Sequence, residues 1–164
     1  MRKILLLAFF SVIAFQSFTQ SLVIPENPKL EKAEDYSAYE DLVVRCVDYL
    51  FDHPVDQNGA KRQECTEFLI KWMDGSPNVT VVLHADLVEL NEGELLMAYL
   101  GAYVKYALEH KEAEAMACTL YAVERSIEMY EKNKDHLKKG KVMKKLLKAK
   151  KKGGLEAYVQ EFVN

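Results

Sequence analysis

The run 79–83, Val-Thr-Val-Val-Leu, is the one stretch of this chain built for a β-strand, and the sequence offers it no partner. β-Branched residues favour pleated backbone, but a lone strand leaves its backbone N–H and C=O groups unsatisfied. A sheet fold is therefore excluded. The expectation for 79–84 is a short extended, buried segment, or a short helix within 79–90. Elsewhere the apolar residues recur at helical spacing between proline and glycine breaks, so the fold class is all-α. With 49% hydrophobic and 29% charged residues in 164, neither a disordered chain nor a multi-domain assembly fits.

The helices can be bounded by their punctuation. Ser37-x-x-Glu40 has the spacing of a capping box, and Tyr39, Leu42/Val43, Cys46 and Leu50 form the stripe that follows. Pro54 stops that helix, because proline disfavours helical geometry in the residue before it. Asn58-Gly59 turns the chain into a second helix, about 60–73, with Cys65, Phe68/Leu69 and Trp72/Met73 as its apolar face. Gly75 suits its C-terminal cap and Pro77 bars continuation. Asn91-x-x-Glu94 starts a helix at about 92–109, and another follows at about 112–133. Asp135 is the expected cap of a lysine-rich helix ending at Gly153-Gly154, with a last short helix at 155–163. The result is one domain, 35–164: a compact bundle of five or six helices with an antiparallel hairpin near its start. Residues 20–34, with Pro25 and Pro28 and no periodicity, read as a flexible lead-in.

Residues 1–19 are read as an address. Arg2 and Lys3 precede an uncharged apolar run, 4–15, which is shorter than the ~20 residues of a membrane-spanning helix. That pattern, with small residues at Ser17 and Thr19, is that of a signal peptide cut after Thr19. An uncleaved N-terminal anchor is the alternative. No cysteine lies near the cut to carry a lipid, and no later segment is a membrane span. The mature chain is expected to be exported, periplasmic or secreted. Losing Arg2 and Lys3 takes the net charge from −3 to −5.

That small figure is a cancellation. Residues 20–131 hold 9 basic and 22 acidic residues, whereas 132–152 hold eleven lysines and one acid, Asp135. The lysines Lys138, Lys139, Lys141, Lys144, Lys145 and Lys148 form a candidate anion surface for lipid headgroups, nucleic acid or an acidic partner. The block contains no arginine for bidentate phosphate contact and no aromatic for base stacking. A solvated outer face over an inward stripe of Val142, Met143, Leu146 and Leu147 is the competing account.

Three further features bear on function. Cys46 and Cys65 sit at matching heights on the hairpin. In an oxidising compartment they are a candidate disulfide, closing a loop of about twenty residues worth ~3 kcal/mol; two buried thiols are the alternative. Cys118 is left over, read first as a buried thiol and second as a site for a covalent partner. Tyr99, Gly101, Tyr103 and Tyr106 share a helix with Ala98 and Ala102 and form a candidate groove for a peptide, glycan or apolar ligand. Tight helix packing explains the same residues. Finally, the helix 112–133 is apolar on two sides: Met116, Leu120, Val123, Ile127 and Tyr130 on one, Ala115, Cys118, Ala122 and Met129 on the other. It is either central in the bundle or buried on a partner.

Trp72-x-x-Gly75-Ser76-Pro77-Asn78-Val79, Leu95-Leu96 and Lys105-Tyr106-Ala107-Leu108-Glu109 resemble stretches of small exported helical bacterial proteins of unknown function. That resemblance implies a helical fold across most of the mature chain and no catalytic residue.

Catalytic motifs are missing. The histidines at 53, 84, 110 and 136 are scattered. His110 and Glu114 share a helix face, and His84-x-Asp86 is a close pair, but a zinc site needs three or four ligands. There is no nucleophile elbow, phosphate loop or dinucleotide fingerprint, and no cofactor is assigned. Asn78-Val79-Thr80 matches a glycosylation sequon, which is incidental in a bacterial host. The expected function is that of an exported, non-enzymatic protein binding a protein or cell-envelope component. An anion-binding module working through the lysine-rich helix is the alternative, and an enzyme with an unrecognised carboxylate site is the third reading.

Overall fold

A computed structural model describes residues 22–163 apart from 89, 91 and 92. The expected signal peptide and Asn91, the expected helix start, lie outside the described residues. These residues form eight helical segments and no strand: α1 (Ala33–Ser37), α2 (Glu40–Asp52), α3 (Gly59–Gly75), α4 (Ala85–Val88), α5 (Gly93–Glu109), α6 (Ala115–Lys132), α7 (Lys141–Lys151) and α8 (Leu155–Val163). The all-α class holds. The short α1 and α4 take the number of segments beyond the five or six expected.

Val43, Cys46, Val47, Leu50 and Phe51 form the buried face of α2. It packs on α3, where Cys65, Phe68, Leu69 and Trp72 are buried. Tyr39 meets Phe68 edge-on with ring centroids 5.8 Å apart, the buried Cys46 thiol neighbours Cys65, and Arg62 reaches the Leu50 carbonyl. The partners run in opposite directions along the chain, so the hairpin is antiparallel. Asn58 makes the turn in left-handed geometry at φ 53°, a conformation asparagine tolerates better than most residues.

α5 and α6 form the most extensive helix pair, and α2 joins them by packing on α5. Gly101 permits that join: a Cβ there would lie 3.2 Å from Val47 Cγ2. α6 in turn carries α7 and α8. Cys118, Ala122, Val123, Ile127 and Met129 of α6 are all buried, so its two apolar sides reflect a central position.

Segment 79–84 has no regular structure. Val79, Val81 and Val82 rest partly buried on the core, and the Val82 carbonyl accepts a 2.8 Å hydrogen bond from the Tyr99 hydroxyl. A side chain of α5 thus satisfies a group that a neighbouring strand would otherwise have to satisfy.

Three expected caps work differently. Ser37 and Glu40 do not cap α2, which starts after Tyr39 without a side-chain cap. They accept instead from the Asn78 amide, at 2.9 and 2.7 Å. Gly75 is the last residue of α3 rather than its cap. A Cβ there would lie 2.0 Å from the Tyr36 hydroxyl, so close approach is what requires glycine. Asp135 does not cap α7; Gly140 holds that position in extended backbone. Asn133 provides the turn instead, its carbonyl accepting from the His136 and Leu137 N–H groups.

Candidate functional site

α7 reads Lys-Val-Met-Lys-Lys-Leu-Leu-Lys-Ala-Lys-Lys. Its buried residues are Val142, Met143 and Leu146, and Leu147 is half-buried. At about 100° per residue, Lys141, Lys144, Lys145, Lys148, Lys151 and Lys152 fall within an arc of about 120° on the opposite side. All six are exposed, as are Lys138 and Lys139 in the preceding turn. The helix is closed by a left-handed Gly153 at φ 69°. The Gly153 N–H bonds the Lys150 carbonyl at 3.0 Å and the Gly154 N–H bonds the Ala149 carbonyl at 3.1 Å. This double bond pattern satisfies the last carbonyls of the helix.

Among the described residues, the ion pair of α7 lies on its inner flank. Lys150 lies on the core side of the helix and pairs with Glu131 of α6 at 2.9 Å. Glu124, Glu128 and Glu156 line the cleft that Lys150 also lines. The candidate lysines 138, 139, 141, 144, 145 and 148 form no ion pair among the described residues. The fold therefore sets Lys141, Lys144, Lys145 and Lys148 on one outward arc of α7, with Lys138 and Lys139 exposed in the turn before it.

The tyrosine set is placed otherwise. Tyr99, Gly101 and Tyr103 are buried. Tyr106 is half-buried, stacked on His110 with centroids 4.2 Å apart and tilted against Tyr121 at 4.8 Å. Tyr99, Gly101 and Tyr103 thus belong to the core that α5 shares with its neighbours. Burial pushes the Tyr99 phenol up to about 12 and raises Tyr103 as well.

All three cysteines are buried thiols in this structure. Cys46 and Cys65 are neighbours across the hairpin, and the Cys65 thiol beside it, with burial, holds Cys46 well above its ordinary value. Cys118 stands apart on α6, and burial raises it too.

Two polar residues that sequence reasoning passed over are central to the fold. Arg62 is 3% exposed. It donates to the Leu50 and His53 carbonyls at 2.9 and 3.0 Å and pairs with Glu94 of α5. Asn133, 5% exposed, accepts from the Val55 N–H at 3.0 Å and donates to the Met129 carbonyl at 2.9 Å. The only prior signal was the position of Arg62, on the same face as Cys65 and Leu69.

A cleft of about 480 Å³ lies between the lead-in and α3, lined by Ile24, Pro25, Pro28, Phe68 and Lys71 together with acidic residues. Of those acids, Glu64 pairs with Lys61 and Glu67 accepts from Gln63. Among the described residues no group of three His, Cys, Asp or Glu is placed to hold a metal ion. No described helix is long and apolar enough to cross a membrane. Searches against family models, curated proteins and solved structures found no match to the chain.

Proposed function

We propose that this is an exported, non-enzymatic helical protein that binds an anionic component of the cell envelope or an acidic partner, and that the ridge of lysines on α7 makes the contact. One observation carries the reading: five lysines of α7 and its C-cap Lys152 share one exposed arc with no carboxylate paired to them among the described residues, while Val142, Met143 and Leu146 on the opposite side are buried in the core. A like-charged ridge is electrostatically costly to hold in isolation, and an anionic partner relieves that cost. The alternative anchor, an apolar docking face on α6, has less support because Cys118, Ala122, Val123, Ile127 and Met129 are buried. The tyrosine groove is the weaker reading because Tyr99, Gly101 and Tyr103 are buried within α5's packing.

The test uses the chain from Gln20 onward on immobilised heparin. The protein should be retained at low salt and released as salt rises. The variant Lys141→Glu/Lys144→Glu/Lys148→Glu should pass through unretained with its helical circular dichroism intact. Retention of that variant would discard α7 as the contact surface. N-terminal sequencing of exported protein should begin at Gln20, within a residue or two. A start at Met1 would remove export by a cleaved signal peptide from the proposal.

A further inference from the structure

Resting on that reading, we propose that the partner is the anionic headgroup surface of a lipid bilayer, on which α7 lies flat without inserting. Three features of α7 narrow the choice. First, its outward arc holds lysine and nothing else. Stereospecific protein interfaces are anchored by buried aromatic or arginine residues, and lysine is depleted from their centres. Second, residues 131–157 contain no arginine and no Phe, Tyr or Trp, and α7 itself has no aromatic residue. The helix can neither fork onto a single phosphate nor stack a base, and it carries no asparagine or glutamine to read a base edge. The partner must therefore ask for charge density alone. A fluid anionic leaflet does so, because its lipids can gather beneath each ammonium group.

Third, the apolar residues that a free amphipathic helix would sink into the acyl boundary are already committed. Val142 is 6% exposed, Met143 and Leu146 are 0% exposed, and Leu147 is half-buried against the same core. Insertion would require α7 to leave α6 and α8, which it packs against. Contact is thus confined to the headgroup plane. The 11-residue helix presents a rod of about 16 Å. The acidic remainder of the chain is repelled by the same surface, so one orientation is favoured.

The test sediments the chain from Gln20 onward with vesicles of phosphatidylcholine alone, or with one-third phosphatidylglycerol. Binding is expected only to the second, and to weaken about fivefold for each lysine neutralised. The variant Lys141→Gln/Lys144→Gln/Lys145→Gln/Lys148→Gln should lose it. The same four positions changed to arginine should keep it, which separates loss of charge from loss of fold. Adsorption to an anionic lipid monolayer should leave the surface pressure unchanged; a rise would overturn flat adsorption. Binding to heparin without binding to anionic vesicles would overturn the bilayer as partner and leave the proposed function standing. Failure on both would overturn both. Tighter binding to duplex or single-stranded nucleic acid than to vesicles at equal salt would also overturn the bilayer.

Discussion

Arg62 ties three elements together through one guanidinium. It closes the C-terminal carbonyls of α2 from its seat on α3 and pairs with Glu94 at the start of α5. Removing it strands two carbonyls and leaves a half-exposed carboxylate without its partner. Arg62→Met should destabilise the domain by about 2–4 kcal/mol in urea unfolding; a loss under about 0.5 kcal/mol would show the clamp to be incidental. Tyr99 makes a pH-dependent contribution. Its phenol titrates near its ordinary value of 10.0 in the unfolded chain and at about 12 when folded. The raised value means that its contribution is complete below pH 10 and is lost as pH rises toward 12, by about 2–3 kcal/mol in all. In Tyr99→Phe the fall in stability over that window should become shallower. At neutral pH the variant should lose about 1 kcal/mol with the hydrogen bond to Val82. The thiols give a third check. Protein folded under reducing conditions should show no reaction with a thiol reagent until it is unfolded, when all three cysteines titrate. In material recovered from an exporting cell, a Cys46–Cys65 bridge would lower the mass by two hydrogens, and three free thiols there would rule it out.

Helices were the most readable elements, because a 3.6-residue apolar period needs no knowledge of the neighbours. The hairpin of α2 and α3, the length of α5 and the glycine stop of α7 all follow from local pattern. Features set by distant residues did not follow. Ser37 and Glu40 have the right spacing for a local cap, yet their partner is Asn78, on the far side of α3. Gly75 stands at a helix end, where glycine usually serves backbone conformation, but Tyr36 is what excludes a side chain there. The lysine ridge was legible as composition; that its inner side is sealed into the core was not, since burial depends on α6 and α8. Gly101 offers a test at this scale. Gly101→Ala adds helix propensity of about 1 kcal/mol but sets its methyl 3.2 Å from Val47, so a net change below about 1 kcal/mol is expected. Gly101→Leu must part α2 from α5 and should cost about 1–3 kcal/mol or more, measured by thermal or urea unfolding. An unchanged midpoint for the leucine variant would mean that the two helices do not need their close approach.

At the level of the whole molecule, α2 pairs with α3, α5 joins α2 to α6, and α6 supports α7 and α8. Asn133 adds a second tie, from the turn after α6 to the loop between α2 and α3. Asn133→Ala should therefore cost about 1–3 kcal/mol without altering the lysine ridge, and heparin retention should survive it. The ridge also has a consequence for how the native state opens. Lysines four residues apart, at 141 and 145, 144 and 148, and 148 and 152, repel one another, each pair by ~0.2–0.5 kcal/mol. Three buried side chains, with Leu147 and Ala149 partly buried beside them, hold the helix down. α7 should then unfold locally at lower free energy than α5 or α6, and its amides should exchange with solvent hydrogen sooner. Added salt screens the repulsion, so exchange across 142–150 should slow as ionic strength rises. Loading the ridge with anions should slow it as well, making the segment that meets the partner the one whose opening the partner suppresses.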